Sequence, residues 1–186
     1  MDKPLIVDKE FTNKSDLPLG EYDECTFIQC NFSGKELSHS EFLNCEFIDC
    51  DLSNVKLIQA AFREVSFENC KLLGLHFENC NEFLFSVAFN RCQLQLSSFY
   101  QCSLKNTKFR QCKLNDVDFT EANLEKASLD RSNLEGAIFE QTNLVEADFR
   151  NAINYTIDPE QNKLKKTKFS KEAVFGLLNK YDLIIE

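Results

Sequence analysis

Residues 120–149 read TEANLEKASLDRSNLEGAIFEQTNLVEADF, and what recurs within them decides the fold. Leu124, Leu129, Leu134, Phe139, Leu144 and Phe149 stand five apart, and two positions before each comes a small residue: Ala122, Ala127, Ser132, Ala137, Thr142 and Ala147. Between them lie polar residues such as Asn123, Lys126, Asn133 and Asn143. A period of five keeps one face neither on a helix of 3.6 residues per turn nor on a strand of period 2. A solenoid that turns a corner every five residues keeps every large side chain inside and every polar one in water.

The period extends upstream through Leu84, Phe89, Leu94, Phe99, Leu104, Phe109, Leu114 and Phe119. An earlier run, from Leu17 through Tyr22, Phe27, Phe32, Leu37, Phe42, Phe47, Leu52, Leu57, Phe62, Phe67 and Leu72 to Phe77, is offset from it by two residues. The cysteines date the slip. Cys30, Cys50 and Cys70 are twenty apart, Cys70 and Cys92 twenty-two, and Cys92 and Cys112 twenty again, so two extra residues enter near 81–83 and the same columns resume. Spacing by twenty means four sides per turn. It stacks Phe99 on Phe119 and Phe139, and Leu104 on Leu124 and Leu144, whereas a three-sided turn would set Phe99 on Leu114.

These segments resemble the A(N/D)LXX signature of the pentapeptide-repeat family over about residues 17–151. The resemblance implies an all-β solenoid, a right-handed quadrilateral β-helix. At a strand spacing of about 4.8 Å, seven rungs make a rod roughly 32 Å long. The domain plan expected is an N-terminal cap over 1–16, the β-helix over 17–152, and a loop, helix and tail over 153–186. Leu5, Ile6, Val7 and Phe11 are candidates to cover the first rung, since an open solenoid end exposes unpaired backbone. From Ser170, a plausible N-cap, Val174, Phe175, Leu177, Leu178 and Tyr181 fall on one helical face, followed by the apolar tail Leu183, Ile184 and Ile185. That helix-then-strand pattern resembles the tail of the quinolone-resistance (Qnr) members, where it joins two rods end to end, and so implies a homodimer through these residues.

Chemistry finds little purchase in this sequence. All nine cysteines occupy the small inward slot, in columns and without histidine, which is no tetrahedral zinc set. His39 and His76 fall at outward slots on different rungs, and no convergent serine or carboxylate accompanies them. A filled convex rod offers no concavity for catalysis. The expectation is therefore a non-enzymatic protein with no metal and no cofactor. There is no apolar run long enough for a membrane span and no signal-like N-terminus, so a cytoplasmic protein with reduced thiols is expected.

Charge remains. The formal net charge of −9 disfavours direct nucleic-acid binding and favours a protein partner with a basic surface. Residues 20–81 carry eleven acids and four bases, 82–113 one acid and five bases, and 114–152 nine acids and three bases. The basic belt is Arg91, Lys105, Lys108, Arg110 and Lys113. Candidate partner-binding acids are Asp116, Asp118, Glu121, Glu125, Glu135, Glu140, Glu146 and Asp148. The Qnr resemblance implies imitation of B-form DNA and binding of a type II topoisomerase, DNA gyrase or topoisomerase IV, with an effect on fluoroquinolone sensitivity. B-DNA holds one charge per about 1.7 Å, so roughly nineteen over this length. This rod offers about half of that and lacks the long protruding loops of Qnr proteins. The alternative is a scaffold for an unrelated protein partner. A continuous negative face would favour mimicry, and interrupted charge the scaffold.

Overall fold

The computed structural model describes residues 3–184. Away from the first rung, and from the slip where the offset is twenty-two, each rung pairs in parallel with the next at an offset of twenty. Going once around, Asn31 pairs with Asp51, Glu36 with Lys56, Glu41 with Ala61 and Glu46 with Ser66, before Asp51 pairs with Lys71. Four ladders five residues apart make a square section, and the fold is an all-parallel β-solenoid. We number the sides by the columns they bury: the first by Tyr22, the second by Phe27, the third by Phe32 and the fourth by Leu37. The second and fourth sides are therefore opposite one another.

Two sides carry true strands. Leu5–Val7, Glu21–Asp23, Glu41–Leu43 and Ala61–Arg63 form a sheet on the first side. Glu10–Thr12, Thr26–Ile28, Glu46–Ile48, Val65–Glu68, Val87–Asn90 and Lys108–Arg110 form one on the second. Phenylalanine fits here because rings in register stack. Centroids of Phe11, Phe27, Phe47, Phe67, Phe89 and Phe109 follow one another at 5.0, 4.5, 5.1, 5.3 and 5.2 Å, close to the spacing of paired strands. Between sides the rings meet edge to face, as Phe42 and Phe47 do at 5.4 Å.

Nearly every corner puts one residue in the left-handed region, mostly without glycine: Glu24, Gln29, Asn44, Asp49, Gln101, Glu121 and Arg131 all have φ between 52° and 57°. Such a conformation costs roughly 1–2 kcal/mol for a residue with a Cβ, and the stacked core must offset it at nearly every corner. Corners come in two kinds. In closed corners the small residue donates back three positions, as Ala127 N–H does to Leu124 O (3.0 Å). In open corners that bond is missing, and a thiol takes its place. Cys25, Cys30, Cys45, Cys50, Cys70, Cys92 and Cys112 each donate S–H to the carbonyl of the large residue one rung below, at 3.2–3.5 Å. Cys30 N–H and Cys50 N–H in turn donate to the sulfur one rung above, both at 3.4 Å. Cysteine is here the small residue that can also satisfy an open corner.

Three expectations need correction. First, Leu84 does not enter the core. The chain leaves the ladder after Asn81, makes a turn closed by Phe85 N–H on Glu82 O (3.2 Å), and rejoins at Ser86, whose N–H donates to Phe62 O (2.9 Å). Leu84 takes the outward left-handed position of that turn and Phe85 packs inward against Phe77 instead, at 6.2 Å. Second, the ladder runs beyond residues 17 and 152. Leu5–Val7 and Glu10–Thr12 are a first rung in their own right, paired at an offset of sixteen because one side is cut short before Leu17. At the other end Asp148 still pairs with Lys168, and Leu164 and Phe169 pack on the core.

The third correction is the C-terminal helix. Val174–Leu177 and Asn179–Tyr181 are two short 3-10 turns. Ser170 Oγ does accept from Ala173 N–H (3.2 Å). An α-helix would need Gly176 O for the amide four residues on, but that carbonyl accepts from Ile157 N–H (3.0 Å). Gly176 lies so close to the last rung that a Cβ there would come within 2.2 Å of Tyr155 O. The expected single apolar face is therefore divided. Leu177 packs on the core, Val174 and Leu178 are half-buried, and Phe175, Tyr181, Leu183 and Ile184 are exposed, while Ile185 lies outside the described residues. Lys180 ties the segment down through Asp158 and Glu160, at 2.7 and 2.8 Å.

Candidate functional site

The thiols are structural by their surroundings. Eight of the nine cysteines are buried and all are free. Burial pushes the thiols of Cys45 and Cys102 up to about 12, far from the ionised form in which sulfur reacts, while along the column from Cys50 to Cys112 hydrogen bonds between successive thiols lower Cys50 and Cys92 and raise Cys70 and Cys112. Among the described residues no group of three or more His, Cys, Asp or Glu is placed to hold a metal ion. His39 and His76 are both exposed, and His76 Nδ1 meets Glu78 Oε1 at 2.8 Å. No described helix is long and apolar enough to cross a membrane.

The eight candidate acids do not share one face. Glu125 and Glu146 lie on the first side and its corner, where Lys105 and Lys126 approach Glu125 at 3.0 and 3.8 Å and Lys126 approaches Glu146 at 3.9 Å. Asp148 is on the second side, and the Arg150 guanidinium, bonded to it at 2.6 Å, holds its carboxyl below the usual range. These three are locally neutralised. Asp118, Glu121 and Glu140 lie on the fourth side, flanked by Asp116 and Glu135 at the corner leading into it, and none of the five is in an ion pair among the described residues. Glu121 instead accepts from Gln101 Nε2 (2.8 Å) and Tyr100 Oη (3.4 Å).

Nor do the bases encircle the rod. Arg91 pairs with Glu68 and Lys105 with Glu125. Lys108 and Arg110 stand on the second side with Arg131, Lys168 and one acid outside any ion pair among the described residues, Asp130, and Lys113 stands on the third. The C-terminal half of the rod is thus polarised across its section, with unpaired carboxylates on the fourth side and unpaired cations opposite. Folding the sequence modulo twenty shows this polarity; counting charges along the chain averages it away.

The Pentapeptide repeat region family matches residues 21–95, 74–149 and 96–172. The chain belongs to the pentapeptide-repeat family. A search of curated proteins by sequence gives no match. Among solved structures, this pentapeptide-repeat protein is similar to HetL from the cyanobacterium Nostoc, described as involved in heterocyst differentiation regulation. The identity is 19%, with 91% of this chain and 87% of that one covered and a TM-score of 0.53. It is also similar to full-length QnrB1, a plasmid-mediated fluoroquinolone resistance protein, at 16% identity over 96% and 100% of the two chains with a TM-score of 0.48. A pentapeptide-repeat protein of the Arabidopsis thaliana thylakoid lumen is 24% identical over 70% and 67%, with a TM-score of 0.35. At 19% identity the HetL likeness speaks to the fold alone.

One feature of the surface was not read from the sequence. The slip opens a cleft of about 690 Å³ lined by Phe77, Glu78, Phe83, Phe85, Tyr100 and Cys102, among others. Part of its signal was available: Phe83 and Tyr100, which line it, are aromatic residues at outward positions of the period and are 65 and 37% exposed.

Proposed function

We propose that this chain is a non-enzymatic binding rod whose fourth side docks onto a protein partner with a basic surface. One observation carries the reading. Asp118, Glu121 and Glu140, with Asp116 and Glu135 beside them, form an unpaired acidic patch on a rigid face, while the opposite side is cationic. A dipolar rod approaches a basic surface in one orientation, which gives recognition without catalysis. What supports a general scaffold over an imitation of DNA is the interruption of charge. The unpaired carboxylates are confined to two rungs of one side, Glu125, Glu146 and Asp148 are paired with cations, and the opposite side is basic, whereas a duplex is negative on every face along its whole length. A type II topoisomerase remains the named candidate partner, and an end-to-end homodimer would rest on the exposed Phe175, Tyr181, Leu183 and Ile184.

The test is charge reversal on one side only. Asp118→Lys, Glu121→Lys and Glu140→Lys together should abolish salt-sensitive capture of the partner from the native cell. Glu125→Lys, Glu146→Lys and Asp148→Lys should change it far less. The same pair of variants, assayed for inhibition of gyrase supercoiling at low salt, decides the topoisomerase candidate. Equal behaviour of the two triple variants in capture would defeat the reading.

A further inference from the structure

We infer that the cleft at the slip is an anchor site for an arginine side chain of the partner that meets the fourth side. The inference deepens the proposed function and rests on it for the partner's basic character. Glu78 and Tyr100 occupy successive rungs of one row on the fourth side, and Gln101 and Glu121 occupy its corner row, so the cleft stands at the head of the acidic patch. The two-residue insertion creates it by lifting Glu82, Phe83 and Leu84 away from the wall formed by Phe77 and Phe85.

The lining has the composition that a guanidinium selects. Two carboxylates, Glu78 and Glu82, face it, and no Lys, Arg or His is among its lining residues. Glu78 uses Oε1 on His76, while its Oε2 is buried and has no hydrogen-bond partner among the described residues. A buried carboxylate oxygen without a donor is unfavourable; the Glu78 side chain as a whole is 25% exposed, and a turn of its carboxylate towards the cleft lets a bound cation donate to that oxygen and relieve the deficit. Phe83 and Tyr100 supply exposed aromatic surface beside it. A planar guanidinium can stack on such rings while donating in a fork to carboxylates, which the compact, strongly hydrated ammonium of lysine does less well. The molecule already makes this contact once: Arg63 Cζ lies 5.7 Å over the Phe83 ring.

The probe is N-acetylarginine methylamide, titrated at millimolar concentration into the full-length protein and followed by NMR of the backbone amides and aromatic rings. Saturable shifts are expected at residues 77–85 and 100–103, weaker ones with the lysine analogue, and none with the isosteric but uncharged citrulline analogue. Glu78→Gln, which keeps the shape of the side chain, should weaken binding about tenfold, as expected for loss of a charge-assisted hydrogen bond. Phe83→Ala, at a largely exposed position, should weaken it without altering the remaining spectrum. Absence of shifts at the cleft, equal shifts with the citrulline analogue, or full affinity in Glu78→Gln would each overturn the inference. So would shifts that depend on protein concentration and not on probe, which would make the occupant a second copy of the chain. Failure here combined with partner capture that still requires Asp118, Glu121 and Glu140 would remove the anchor and leave the docking side standing.

Discussion

The two halves of the rod, before and after the slip, reach the same square section by different means. Up to Phe77 the columns are rich in phenylalanine, and the corners after the first and second sides are open and plugged by Cys25, Cys30, Cys45, Cys50 and Cys70. Beyond Leu94 the first and third columns turn to leucine, the fourth keeps the stacked rings Phe99, Phe119 and Phe139, and most corners close on themselves, with Ala122, Ala127, Ala137 and Ala147 donating three residues back. The N-terminal half is thus held together between rungs by stacked rings on its first two sides and by thiol bonds along the axis. The C-terminal half keeps its stacked rings mainly on the fourth side and sets most of its corners locally, turn by turn. One period therefore admits two kinds of corner: most open ones hold a side-chain donor in the small slot, Val65 being an exception, whereas closed ones accept alanine, valine, serine, threonine or cysteine alike.

The comparison breaks first on the rings. Phe67→Ala removes a ring stacked on both Phe47 and Phe89, and should cost about 3–5 kcal/mol. Leu124→Ala, equally buried in the C-terminal half, should sit near the lower end of the range for leucine, about 2–3 kcal/mol. Urea denaturation of the two variants checks this, and equal losses would show that axial stacking adds nothing beyond burial.

The thiols sharpen it next. Cys70 donates to Phe47 O and accepts from Cys50 N–H, so Cys70→Ala leaves a buried amide without its acceptor and should cost about 1–3 kcal/mol. Cys70→Ser should recover much of that loss. Cys102 sits at a closed corner, where its own N–H already reaches Phe99 O at 3.0 Å, and Cys102→Ala should cost less than about 1 kcal/mol. Thermal unfolding of the three variants reads the difference; a serine variant no better than alanine would refute the plug.

The smallest effect tests the corners themselves. Gly34 has φ 67° with no atom within 4 Å of a Cβ built there, and Gly34→Ala should cost about 1 kcal/mol from the left-handed backbone alone. Gly136, in the other half, faces Asp116 Oδ1 at 2.3 Å from such a Cβ. Gly136→Ala should cost more, and Asp116→Ala in the same chain should abolish the excess.

What could be read in advance was whatever repeats. The columns, the slip and the inward cysteines were legible because one environment is sampled at nearly every rung, so a pattern of residue types reports it many times over. The docking side was half legible. Its acids were named, but pooled with Glu125, Glu146 and Asp148, which only their neighbours on adjoining rungs reveal as neutralised. The cleft was not foreseen, because the period assigns Leu84 to the core and gives Phe83 no inward place, and only the structure turns Leu84 out and Phe85 in.

The sequence by itself determined that this chain coils in steps of five, four to a turn, with Phe, Leu and Cys along its axis. Periodic burial of apolar surface is an energy that any one rung specifies and the next repeats. Only the tertiary structure decided that Phe85 replaces Leu84 in the core, and that Ser170 onward folds as 3-10 turns where the apolar spacing suits a helix. Those outcomes rest on single contacts between distant residues, Ser86 with Phe62 and Ile157 with Gly176, and a bond made once leaves no repeat to read.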